Sequence, residues 1–235
     1  MTSERVARRE FLRAAAVAGA AAAAPTALAQ ETAPAQVPAA APDTAPVYAF
    51  LNLEEQAFVE ALVDHMIPAD ELTPKGTDLG VNVYIDRALG GAWGQGDRLY
   101  MQGPWRRGVP SQGYQLPLTP AQLYRAGIEA TNARCVKTWG RPFDRLGEPQ
   151  REEVLLALSA GKLDLGALPA RAFWTVLYQT VMEGVFSDPV HGGNRGKAGW
   201  RMIGFPGALA MHRDHIETFR DRPFPNDPVG IADMS

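Results

Sequence analysis

Cysteine is nearly missing from this chain: Cys135 stands alone among 235 residues. That excludes an internal disulfide framework, a zinc cluster of thiolates, an iron–sulfur cluster and a haem attached through C-x-x-C-H, because each needs more than one thiol. A lone thiol is either buried and inert or paired with another chain, and composition leaves both readings open. The common nucleotide and hydrolase signatures are missing too: there is no G-x-G-x-x-G after a strand pattern, no Walker loop, no H-E-x-x-H and no G-x-S-x-G. Gly94-Gln95-Gly96 lacks the third glycine of a dinucleotide fingerprint. Histidine is scarce and scattered over His65, His191, His212 and His215. Only the last two share a helical face, and no carboxylate pattern completes a metal site with them. Excess positive charge is absent as well, with 23 Lys and Arg against 26 Asp and Glu, which argues against a nucleic-acid partner.

What is there begins at the N-terminus. Arg8-Arg9-Glu10-Phe11-Leu12-Arg13 precedes an alanine-rich apolar stretch from Ala14 to Ala24, and Ala27-Leu28-Ala29 supplies an A-x-A cleavage pattern. Charged region, modest apolar region and small-residue site are the order of an export signal. The stretch is too short and too weakly hydrophobic to span a bilayer. A general-secretory signal with a chance arginine pair is the competing reading. Phe11-Leu12 behind the pair favours the twin-arginine route, so Arg8, Arg9, Phe11 and Leu12 are the signal's candidate determinants. The expectation is a periplasmic protein exported already folded, holding a cofactor or travelling with a partner.

Residues 1–29 are thus expected to be a signal peptide and residues 30–49 a flexible linker, with Pro34, Pro38, Pro42 and Pro46 in a run too poor in apolar side chains to pack. Residues 50–235 remain as one domain. Loss of the signal removes two net positive charges and turns the overall charge of −3 into about −5.

Within that domain the spacing predicts a mainly α fold with long irregular loops. Asn52 with Glu55 forms a capping-box pattern ahead of Phe58, Val59, Leu62, Val63, Met66 and Ile67, and Pro68 stops the helix. Val81 to Leu89 reads as a second helix ended by Gly90-Gly91, expected to pack back on the first. Thr119-Pro120-Ala121-Gln122 is a helix start, and that helix runs to about Trp139 with Cys135 in its last turns. Further helices are expected from Pro149 through Leu158 and from near Pro169, the latter presenting Phe173, Val176, Leu177, Thr180 and Val181 to the core.

Two segments resist this reading. Gly90 to Pro117 alternates glycines with Trp93, Tyr100, Trp105 and Tyr114 without periodicity. Aromatics gain nothing in a solvated linker, so contact with a partner and internal packing are both open for this loop. Asp188-Pro189-Val190-His191-Gly192-Gly193-Asn194-Arg195 is a helix exit into a tight turn, where glycine and asparagine allow positive φ. Trp200, Ile203 and Phe205 follow among Arg195, Lys197 and Arg201, a mixture in which interface cores are rich. A self-packed turn is the competing reading, and a third treats Asp188, His191 and Asn194 as an acid–base cluster of a stand-alone enzyme.

Ser187 to Asn194, with Gly199-Trp200 and Ile203-Gly204-Phe205-Pro206-Gly207 behind it, resembles the signature of the gluconate 2-dehydrogenase subunit 3 family. Leu62-Val63-Asp64-His65-Met66-Ile67-Pro68 and Val83-Tyr84-Ile85-Asp86 are similar to that family's N-terminal half. His191 stands where the family commonly carries an aromatic residue. The resemblance implies a small helical subunit without catalysis or cofactor of its own. Its partners would be a large FAD-dependent dehydrogenase of the glucose–methanol–choline type and, where present, a multihaem cytochrome c subunit that passes electrons to the membrane. The small subunit would carry the export signal for the flavoprotein and touch the membrane only through the complex. Under that reading Trp93, Tyr100, Trp105 and Tyr114, with Asp188, Pro189, Gly192, Gly193, Asn194, Trp200 and Phe205, are the candidate interface, and Cys135 is a candidate for an intermolecular disulfide.

Overall fold

Asn52 opens the first helix by a reciprocal cap: its Oδ1 accepts from the amides of Glu54 and Glu55 at 3.0 and 2.9 Å, and the Glu55 carboxylate accepts from the Asn52 amide at 2.9 Å. Three backbone donors that a helix start leaves without partners are satisfied this way. The computed structural model describes residues 47–234 apart from Arg98, Arg107, Pro110, Ser111 and 209–212, with only the backbone of Asp214. The expected signal and nearly all of the expected linker lie outside the described residues.

Among the described residues seven α-helices follow one another: α1 (Leu53–Met66), α2 (Val81–Gly90), α3 (Pro120–Trp139), α4 (Glu148–Ser159), α5 (Ala170–Phe186), α6 (Ala198–Ile203) and α7 (Arg213–Thr218). Among the described residues there is no β-strand beyond one isolated bridge. The mainly helical class read from spacing is therefore the class observed. Thr119 and Gln122 cap α3 reciprocally with Pro120 in its first turn, as the sequence predicts. Gly140, in the left-handed region, closes that helix.

Helix α5 is the hub, packing against α2, α3, α4 and α6. Its buried stripe is Phe173, Leu177, Thr180 and Val181, with Val185 at its end. Phe58, Leu62, Ile85, Leu89, Leu123, Phe143 and Leu158 complete the interior, each with essentially no solvent exposure. Burial of a side chain this size contributes about 1.5–3 kcal/mol. Tyr124 brings a hydroxyl into the fully buried interior, where Thr180 satisfies it.

Two carboxylates tie loops to this core. Asp64 accepts from the Thr77 amide at 2.8 Å and from Lys75 Nζ at 2.9 Å, which folds the segment after Pro68 back onto α1. Asp86, buried on α2, accepts from three successive amides, Ala49, Phe50 and Leu51, at 2.8, 2.9 and 2.9 Å. The chain entering the domain is thereby clamped to α2 before α1 begins.

Candidate functional site

The turn after α5 is built around Asn194. This residue is fully buried, with φ of 47°. Its Nδ2 donates to the Ser187 carbonyl at 2.9 Å and its Oδ1 accepts from the Gly199 amide at 2.9 Å. One amide side chain thus joins the end of α5 to the start of α6. Asparagine suits the place because its side chain can bond locally while its backbone tolerates the left-handed region. Gly192, at φ of 103°, needs glycine for the same conformational reason. Gly193 differs from the sequence expectation, since its φ is not positive. A Cβ there would stand 2.2 Å from the Gly184 carbonyl oxygen, so close approach to α5, and not φ, demands the missing side chain.

The turn is docked on the start of α2, where the Arg195 amide donates to the Leu79 carbonyl at 3.0 Å. Trp200 folds inward: it is 4% exposed, and its Nε1 donates to the Phe186 carbonyl at 2.7 Å. Phe205 meets it edge-on at 5.2 Å and remains 41% exposed. Gly192, Gly193, Asn194 and Trp200 therefore shape this edge from beneath, and Asp188 and Pro189 are half-buried. The apolar surface left outward is Val190, Met202, Ile203 and Phe205. A groove of about 390 Å³ runs beside it, between Trp200, Arg201, Phe205 and Phe224 to Pro228.

The acid–base reading finds its groups engaged elsewhere. Asp188 Oδ1 accepts from the Val190 amide at 3.0 Å and Oδ2 from the Ile231 amide at 2.8 Å. Asn194 spends both ends of its amide on backbone, and His191 is exposed. Among the described residues no group of three His, Cys, Asp or Glu side chains is placed to hold a metal ion.

The glycine-rich loop divides into packed ends and an open middle. Trp93 and Tyr114 pack against the core, and the Ala121 amide donates to the Gly94 carbonyl at 3.0 Å. Tyr114 Oη donates to the Leu118 carbonyl at 2.5 Å, and its partly buried phenol is pushed up to about 12 by loss of solvent. Trp105 is half-buried, whereas Tyr100 stands 77% exposed. Cys135 lies inside α3 with no exposed surface, and burial raises its thiol to about 11.

One exposed face escaped the sequence reading. Beside its buried stripe, α5 carries Arg171, Trp174, Tyr178 and Met182 along an open groove of about 470 Å³, with Trp174 and Met182 partly packed against the core. The Trp174 and Tyr178 rings lie 5.8 Å apart. Spacing of three and four residues would have revealed this second stripe, but the stronger apolar pattern of the core face concealed it. Among the described residues no helix is long and apolar enough to cross a membrane.

The family model described as gluconate 2-dehydrogenase subunit 3 matches residues 53–207, from the first residue of α1 to the glycine that closes the Trp200–Phe205 segment. No curated protein and no solved structure matches the chain.

Proposed function

The chain belongs to the gluconate 2-dehydrogenase subunit 3 family, and from that membership we propose that it is the non-catalytic escort of a periplasmic, FAD-dependent dehydrogenase. Membership of the family makes this an accessory subunit of a dehydrogenase complex, with the cofactors carried by other subunits. The match over residues 53–207 carries the proposal.

In this reading Arg8, Arg9, Phe11 and Leu12 address a folded assembly to the twin-arginine route. The 50–235 domain binds a large flavoprotein of the glucose–methanol–choline type that has no signal of its own. A multihaem cytochrome c subunit, where the complex includes one, takes the electrons onward, and the complex touches the periplasmic face of the inner membrane through that subunit. Two features support a binding role. The surface around the Asn194 turn leaves Val190, Met202, Ile203 and Phe205 in solvent, and Tyr100 projects from the loop. Neighbouring exposed apolar side chains of this kind mark interaction surfaces. The stand-alone enzyme finds no such support, because Asp188 and Asn194 are committed to the turn.

Producing the large dehydrogenase subunit with and without this chain tests the proposal. Periplasmic dehydrogenase activity is expected only when both are made. Undiminished periplasmic activity without this chain rejects the escort role.

A further inference from the structure

Beyond residue 207 the family match ends, yet the chain returns to the turn it has just left. Val229 pairs in parallel with Gly207: the Ala208 amide donates to the Val229 carbonyl at 2.7 Å, and the Val229 amide donates to the Pro206 carbonyl at 3.1 Å. A Cβ on Gly207 would stand 2.1 Å from the Val229 oxygen, so only glycine admits this approach. Two side chains of the turn hold the returning segment. Asp188 gives one carboxylate oxygen to Val190 within the turn and the other to the Ile231 amide. Lys197 Nζ donates to the Pro228 carbonyl at 2.9 Å and pairs with the Asp233 carboxylate. Arg201 adds a contact with Asp227 at 3.3 Å.

Backbone strain says which way the dependence runs. Asn194 and Lys197 both occupy the left-handed region, at φ of 47° and 60°. Such residues persist where their surroundings over-determine them. Asn194 is held by its own buried amide, whereas Lys197 is anchored through its ammonium to the returning segment. That segment itself buries little beyond Pro228 and Gly230, and residues 231–234 are exposed. Surface ion pairs and a single bridge are weak attachments, so the segment can open while the helical core stays closed.

We propose that residues 227–234 are a strap whose seating sets the shape of the Asp188–Lys197 turn and thereby controls how well this edge engages the larger dehydrogenase subunit. The inference rests on the accessory reading for its partner and on the strap's own contacts for its mechanism. Seated, the strap fixes Asp188 and Lys197 and adds Ile231 and Met234 to the exposed apolar residues nearby. Released, it frees both polar side chains and relaxes the strained backbone.

The test compares the full chain with two variants. Ile231→Pro deletes the amide that Asp188 accepts, at the first position of a 3₁₀ turn where proline is tolerated. The other variant ends at Arg222 and lacks the strap entirely. Hydrogen exchange at the Arg195, Lys197 and Gly199 amides is expected to quicken by roughly tenfold or more in both, with α1 to α5 unchanged. Binding to the purified large subunit is expected to weaken alongside. Unchanged exchange at the turn in both variants overturns the proposal. A loosened turn with undiminished binding overturns the control of docking while the accessory reading stands. A full chain that binds no dehydrogenase sinks the accessory reading, and docking control with it, and that result is visible before any variant is made.

Discussion

Asn194 concentrates more structural consequence than any other polar residue of the turn. Its side chain satisfies a carbonyl at the end of α5 and an amide at the start of α6, and its backbone holds a positive φ. Asn194→Ala leaves both backbone groups buried without a partner and places a Cβ-bearing residue with no local bond in the left-handed region. The expected loss is about 2–4 kcal/mol, from an unsatisfied buried group at about 1–3 kcal/mol plus the conformational penalty. Urea unfolding should show a lower midpoint at unchanged slope, and Asn194→Gly should recover only the conformational part.

Cys135 poses a different question, because the sequence left an inert thiol and an intermolecular disulfide both open. The residue is fully buried in α3, and its thiol is shifted upward to about 11 because burial penalises the thiolate. A raised thiol pKa means that the reactive form is scarce at neutral pH and grows only as pH approaches the shifted value. Native protein is therefore expected to resist an alkylating reagent at pH 7–8 and to react fully once unfolded in denaturant, with mass spectrometry counting the adducts. Rapid labelling of the folded chain would show an accessible sulfur available to a partner.

At the level of elements, the helix boundaries were legible wherever local chemistry writes them. Asn52 with Glu55, and Thr119 with Pro120 and Gln122, announce helix starts because a capping box is made within four residues. The end of α5 was legible because Ser187-Asp188-Pro189 cannot continue a helix. What depends on distant residues was not. Asp86 reads as an ordinary carboxylate on an amphipathic helix, and nothing near it announces that its partners are three amides more than thirty residues earlier. Gly193 reads as a turn glycine, while its reason lies across the fold at Gly184. Trp200, among Arg195, Lys197 and Arg201, reads equally as an interface residue or as part of a self-packed turn, and only the end of α5 shows that it folds inside.

The same scale separates two surfaces that a dehydrogenase could use. Tyr100 on the loop and Phe205 after α6 belong to the proposed interface; Tyr178 lies on the outer face of α5. Tyr100→Ala and Phe205→Ala are each expected to cost the isolated chain less than about 1 kcal/mol, since both side chains are substantially exposed. Each should weaken the complex by about 2 kcal/mol if it fills a pocket on the partner. Tyr178→Ala, equally mild for the fold at 47% exposure, should leave binding unchanged. Titration of each variant against the large subunit decides between the faces, and the opposite ranking moves the interface to α5.

Across the whole molecule, the candidate address and the family-matched domain occupy separate stretches of chain. The candidate export determinants stand within the first 13 residues, and the family match begins at residue 53. If the two act independently, damage to the first must leave the second intact. Arg8→Lys with Arg9→Lys keeps the charge of the N-terminal region and removes the paired guanidinium groups, which are not interchangeable with ammonium. The variant is expected to fold, to bind the large subunit in the cytoplasm and to retain dehydrogenase activity there, while periplasmic activity falls to background. Fractionation of the cells, with activity measured in each compartment, reads both outcomes together. Periplasmic activity that survives the exchange would show that the paired arginines do not direct this assembly's export, whereas loss of cytoplasmic binding would show that the N-terminal segment takes part in recognition.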